Sequence, residues 1–107
     1  MKIQYLGTAA AEGIPAIFCT CELCRKTARA GSAEVRCRSS VLINDQILID
    51  LTPDIYYQKM RWNLDLSQLE AVFVTHSHTD HFDGAELTRR SAADYCKPAL
   101  ERPLLVY

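Results

Sequence analysis

Every histidine in the chain falls within six residues, in the run His76-Ser77-His78-Thr79-Asp80-His81. Side chains two apart in extended backbone point the same way, so His76 and His78 are placed to converge on one cation. A turn after Thr79 would carry Asp80 and His81 towards a second. Imidazole and carboxylate are ligands that zinc, manganese and iron accept. Two such ions, roughly 3.5–4 Å apart, clamp both oxygens of a displacement reaction and share a hydroxide between them. A lone histidine is more often an ordinary surface or core residue. Three with an aspartate at this spacing have no simple structural explanation. Asp80 also stands where it would cap a helix starting at Phe82, its carboxylate near the positive end.

A second cluster, Cys19-Thr20-Cys21-Glu22-Leu23-Cys24, holds three of the five cysteines. Structural zinc is closed by four ligands, so the cluster needs one more. Cys37 and Cys96 are the other thiols, each read more simply as a small buried side chain. An odd count with this crowding suits metal binding in a reducing compartment rather than a disulfide framework, and a cytoplasmic protein is expected. The preceding stretch, Gly7 to Phe18, has few apolar residues to hold it, and a metal clip would supply what packing does not.

The elements that must position these groups follow from pattern. Lys2 to Leu6 alternates polar and apolar and ends at Gly7, as a first strand would. Residues 7–20 are rich in Gly, Ala, Thr and Pro without helical spacing and read as a long loop. A short helix is expected from Cys21 to Ala30, stopped by Gly31. Val41-Leu42-Ile43 and Ile47-Leu48-Ile49 flank Asn44-Asp45, a pair that tolerates the positive φ of a tight hairpin. Thr52-Pro53 opens a helix expected to reach about Trp62, Thr capping and Pro fitting the first turn. Its stripe Tyr56, Tyr57, Met60 reads as the packing face. Ala71 to Val74 is a strand delivering the chain into the histidines, a helix is expected from Phe82 to about Tyr95, and Leu104 to Tyr107 reads as a further strand. Strands with apolar residues in succession are usually covered on both faces. Helices would cover one face here, and nothing obvious is left for the other.

Composition bounds the rest. The 107 residues allow one small domain, residues 1–107, and not two. A net charge of −1 gives no polycationic field, which counts against a dedicated nucleic-acid binder. No segment approaches the roughly 20 apolar residues of a membrane span, and Glu12, Gly13 and Pro15 interrupt any signal-like stretch.

Thr75-His76-Ser77-His78-Thr79-Asp80-His81 after an apolar strand resembles the second signature motif of the metallo-β-lactamase superfamily. Ile47-Leu48-Ile49-Asp50 resembles the earlier motif, a strand ending in aspartate. The resemblance implies an α/β (α+β) fold: the N-terminal half of a four-layer αββα sandwich. It implies that His76 and His78 bind a first ion and Asp80 and His81 a second, either zinc or manganese, or iron. Asp50 would hold the histidine loop by hydrogen bonds, and Asp80 would orient the bridging hydroxide as the catalytic carboxylate. Relatives supply a third histidine for the first ion, a bridging aspartate and another histidine from later segments.

The stretch Gly7-Thr8-Ala9-Ala10-Ala11-Glu12-Gly13-Ile14-Pro15 with the Cys-x-Cys-x-x-Cys pattern is similar to one branch of that superfamily. The branch holds the cyclic-phosphate phosphodiesterases and the pyrroloquinoline quinone biosynthesis protein B. It implies one structural zinc on Cys19, Cys21 and Cys24, completed by a downstream histidine that has no counterpart here. Arg36 and Arg38 resemble the entry to the second strand in that branch, and guanidinium suits phosphate oxygens, although such arginines are usually a solvated edge. The expected function is metal-dependent hydrolysis of a small or cyclic phosphodiester. The alternatives are a transfer-RNA 3′-end-type ribonuclease, a quinone-cofactor biosynthesis protein, and a non-catalytic metal-binding or interaction domain. A half-sandwich would expose an apolar face, so self-association is expected if the chain is no longer than this.

Overall fold

The computed structural model describes residues 1–91, 97 and 102–107. Its strands are β1 (Ile3–Gly7), β2 (Ser40–Ile43), β3 (Ile47–Ile49), β4 (Ala71–Phe73) and β5 (Leu105–Val106), and its helices α1 (Glu22–Ala30), α2 (Ile55–Trp62) and α3 (Ala85–Ser91). The strands lie in sequence order in one sheet. β1, β2 and β3 pair antiparallel, while β3, β4 and β5 run parallel.

The β2–β3 hairpin turns where the sequence placed it. Asn44 and Asp45 adopt φ of 51° and 60°, and the Gln46 N–H closes the turn on the Ile43 carbonyl at 3.0 Å. Short polar side chains tolerate this left-handed backbone because they cost less there than β-branched ones. Lys2 secures the turn from β1, its backbone N–H donating to Asn44 Oδ1 and its ammonium pairing with Asp45, both at 2.8 Å.

Two helices start later than expected. Thr52 Oγ1 accepts the Asp54 N–H and the Thr52 carbonyl accepts the Ile55 N–H, both at 3.1 Å, so a turn precedes α2. The later start also corrects the packing face. Ile55 and Gln58, one turn apart, are buried, while Tyr56 and Met60 are exposed and Tyr57 borders on it. α3 begins at Ala85 rather than Phe82, and Asp83 Oδ1 accepts the Ala85 N–H at 3.1 Å. Asp83 thus takes the capping place expected of Asp80. The expected extension of this helix to Tyr95 lies outside the described residues, as does Cys96.

The core comprises Leu6, Leu42, Leu48, Leu51, Ile55, Leu64, Leu69 and Val72, with Leu87 of α3 packed against it. Both crossover helices therefore contribute to one side of the sheet, as right-handed parallel connections require. The opposite face carries two cross-strand rows, Ile3–Ile43–Ile47–Ala71–Leu105 and Tyr5–Val41–Ile49–Phe73. Tyr107 extends the second row by stacking on Phe73, ring centroids 4.9 Å apart. Tyr5, Phe73, Leu105 and Tyr107 are exposed. Helices cover one face of the sheet, and no helix among the described residues covers the other.

The loop after β1 is held by backbone more than by packing. The Ile14 N–H donates to the Arg36 carbonyl at 2.9 Å and the Arg36 N–H returns the bond at 2.7 Å. Thr8 and Ala9 N–H groups both donate to the Cys37 carbonyl. Gly7 makes this approach possible, since a Cβ there would lie 2.1 Å from the Arg38 carbonyl oxygen.

Candidate metal centre

β1 and β3 end, and β2 begins, along one edge of the sheet, and β4 delivers the histidine run to that edge. The run turns where expected: the His78 carbonyl accepts the N–H groups of His81 and Phe82 at 2.9 and 3.0 Å. That turn folds the three imidazoles together. The His76 ring centroid lies 4.7 Å from that of His78 and 4.0 Å from that of His81. His76 and His78 are exposed, and Asp80 and His81 are partly buried.

Asp50 anchors this loop from below. It follows β3 directly, with φ of 62°, a backbone turn that aspartate tolerates better than most residues. Its N–H donates to the Phe73 carbonyl at 2.9 Å, and its own carbonyl accepts the Ser40 hydroxyl at 2.9 Å. The buried carboxylate faces Thr75 and His81. Thr75 donates its N–H to Oδ1 at 2.8 Å, and its Oγ1 lies 3.0 Å from both oxygens. His81 Nδ1 is 2.7 Å from Oδ2. Burial pushes the Asp50 carboxyl up, yet the hydrogen bonds from His81 and Thr75 outweigh it and hold it below the ordinary value.

An ionised Asp50 only accepts hydrogen bonds, so it assigns the hydrogen of His81 to Nδ1 and leaves Nε2 with a lone pair. That Nε2 faces Asp80 Oδ2 at 3.2 Å. Both atoms offer lone pairs to the same space, as two ligands of one cation would. Imidazole and carboxylate are ligands that first-row divalent ions accept, but among the described residues this run does not bring three ligand atoms within 4.8 Å of one another.

The three clustered thiols also converge. The Sγ atoms of Cys19, Cys21 and Cys24 lie within 4.8 Å of one another. Cys21 caps α1, its sulfur accepting the Cys24 N–H at 3.5 Å, and Cys24 accepts the Ala16 N–H at 3.4 Å. The Cys24 N–H, with the neighbouring thiols, pulls Cys21 below the ordinary thiol value. Cys24 is raised, because the Ala16 N–H that favours its thiolate is outweighed by burial and the adjacent sulfurs. Cys37 is buried and does not join the cluster.

The two arginines differ. Arg36 is exposed and braces the loop through its backbone. Arg38 is tied down: Nη1 pairs with Asp54 Oδ1 and Nε donates to the Ala11 carbonyl, each at 2.6 Å. Two of its three guanidinium nitrogens thus hold the loop to the start of α2. Two polar groups that sequence reading gave no role emerge here. Thr75 lies between Asp50 and the rings. Gln58, fully buried, donates to the Arg38 carbonyl at 3.1 Å. Thr75 was visible beside the histidines; nothing in the sequence marked Gln58.

The family model of the metallo-beta-lactamase superfamily matches residues 37–94, more than half the chain. The chain belongs to the metallo-beta-lactamase superfamily. Among curated relatives, a Porphyromonas gingivalis protein named octanoyltransferase is 36% identical over 90 residues, covering 80% of this chain and 17% of that protein. Coenzyme PQQ synthesis protein B of Methylobacterium radiotolerans is 34% identical, covering 89% of this chain and 36% of its own length. Among solved structures, a diphosphatase from the PhnP family superposes with a TM-score of 0.63 at 31% identity, over 82% of this chain and 34% of that one. Zinc-bound PqqB from Methylobacterium extorquens gives 0.66 at 28%, over 81% and 33%. The short form of human tRNase Z gives 0.51 at 26%, over 77% and 26%. The chain therefore spans between about a sixth and about a third of the proteins it resembles. The superfamily includes metal-dependent hydrolases, and no described helix is long and apolar enough to cross a membrane.

Proposed function

We propose that this chain carries part of the metal centre of a hydrolase that cleaves a small or cyclic phosphodiester. The observation that carries the reading is the closeness of the His76, His78 and His81 rings, with the Nε2 of His81 3.2 Å from a carboxylate oxygen of Asp80. His76 and His78 would hold one divalent ion and Asp80 with His81 a second; zinc, manganese or iron suits these ligands. Such ions supply Lewis acidity and neutralise charge developing on phosphoryl oxygens. Asp80 orients the attacking water through its carboxylate, and Asp50 keeps the Nδ1 hydrogen of His81 turned away from the reaction. Cys19, Cys21 and Cys24 hold a structural zinc that fixes the N-terminal loop, and Arg36 is the free guanidinium for a phosphate oxygen. Two similar structures, named a diphosphatase and a tRNase, support phosphoryl chemistry as the substrate class. The net charge of −1 favours a small substrate over a nucleic acid.

A second reading, a metal-binding domain without catalysis, is favoured by ligand number. Catalytic zinc takes about three protein ligands and keeps an open position. The histidine run offers two per ion. The test is hydrolysis of bis(p-nitrophenyl) phosphate by the whole gene product carrying this chain, with metal content measured alongside. His78→Ala should abolish turnover, and Cys21→Ala should mainly lower stability. Full metal loading with no hydrolysis of the diester would reject the phosphodiesterase reading in favour of the second.

A further inference from the structure

Thr75 is the polar group of the metal centre to which no role has yet been given, and its surroundings permit a count of hydrogens. Its Oγ1 lies 3.0 Å from each oxygen of Asp50, 3.1 Å from His76 Nδ1 and 3.4 Å from His81 Nδ1. A threonine hydroxyl has one hydrogen to donate and two lone pairs to accept with. The Asp50 carboxylate has none to donate, so the Thr75 hydrogen must point at Asp50. Oγ1 then meets His76 Nδ1 only as an acceptor. His76 must place its hydrogen on Nδ1, leaving Nε2 with the lone pair.

We infer that Thr75 is a positioning residue which, by relaying the negative charge of Asp50, fixes the tautomer of His76 and so selects Nε2 as its metal-binding atom. The inference rests on the metal-centre reading above but makes a claim about the metal-free protein as well. Asp50 would set both rings at once: His81 by direct contact and His76 through one hydroxyl. A single carboxylate beneath the loop thus turns the lone pairs of two histidines outward together. Fixing the tautomer of a ligating histidine through its other ring nitrogen is a general means of raising ligand affinity.

Nitrogen-15 NMR of the histidine rings in the metal-free chain, above pH 8, reads the tautomers directly. In the wild type both His76 and His81 should carry hydrogen on Nδ1. Thr75→Val keeps the shape and removes the hydroxyl; it should release His76 to a mixture of tautomers while His81, still held by Asp50, stays fixed. Thr75→Ser should restore His76. A merely structural threonine would disturb both rings or neither. Titration with Mn2+, which thiolates bind poorly, is then followed through broadening of the same ring signals. Thr75→Val should weaken binding by about tenfold or more, with Thr75→Ser within about threefold of wild type. Hydrogen found on Nε2 of His76 in the wild type, or an unchanged His76 in Thr75→Val, would overturn the inference. Tautomers as stated with no Mn2+ broadening at any concentration would uphold the positioning and reject the metal centre instead.

Discussion

Asp50→Asn isolates what one negative charge does at this centre. Asparagine has nearly the same shape and tolerates the φ of 62° at this position, so the exchange adds no backbone strain. Its Oδ1 still accepts the Thr75 N–H, now as a neutral bond. Its Nδ2 replaces an acceptor with a donor opposite His81 Nδ1, formerly 2.7 Å from Oδ2. Hydrogen bonds to charged groups contribute about 1.5–3 kcal/mol and neutral ones about 0.5–1.5. Thr75 and His81 are partly solvated, which selects the lower end: a loss of about 2 kcal/mol. For a domain near 100 residues this lowers Tm by roughly 8–16 °C. To escape two donors meeting, His81 must move its hydrogen to Nε2, where it faces Asp80 and blocks the ligand position. Affinity for Mn2+ at the histidines should fall 10–100-fold. Thermal melts and Mn2+ titration on the folded variant measure both quantities. A variant melting within about 2 °C of wild type and binding Mn2+ equally well would show that the charge of Asp50 organises nothing.

Three further outcomes are expected. Gly7→Ala would force a Cβ to within 2.1 Å of one carbonyl oxygen and 2.6 Å of another, so urea unfolding should show a loss of about 3 kcal/mol or more; an unchanged midpoint would mean the loop does not pack as described. Cobalt(II) added to the wild type should give thiolate-to-metal absorption that Cys21→Ala lacks, because the three sulfurs form one binding group. Burial, helped by the charge of Asp54, raises the Cys37 thiol. A raised acid stabilises the fold fully below the unfolded-state value of about 8.5 and loses that contribution as pH climbs through it and on to the folded value. The denaturant midpoint of wild type should thus fall between about pH 8 and 10 by more than that of Cys37→Ala; parallel curves would contradict the burial.

The parts of this molecule that were legible in its sequence are those where local chemistry decides. Asn44-Asp45 between two apolar triplets allowed one turn, and the strand ending at Phe73 left the histidines nowhere to go but the sheet edge. Helix starts were less legible, because Thr52 and Asp83 form side-chain turns ahead of α2 and α3 that depend on where the chain has just come from. A shift of start changes phase, which is why Tyr56 and Met60 face water while Ile55 and Gln58 face the core. Arg38 shows the limit most plainly. An arginine before a strand looks the same in sequence whether it awaits a phosphate or, as here, clasps Asp54 sixteen residues away.

The pleat of the sheet has a consequence for how such a chain can change over time. Leu42, Leu48 and Val72 point to the helices, while their neighbours Val41, Ile49 and Phe73 point the opposite way. Alternation makes the two surfaces separate texts written on the same strands. Substitutions on the outward set can accumulate, suiting whatever layer the chain meets, without moving a residue that shapes the histidine loop. A lineage can therefore revise its outer contacts and keep its chemistry.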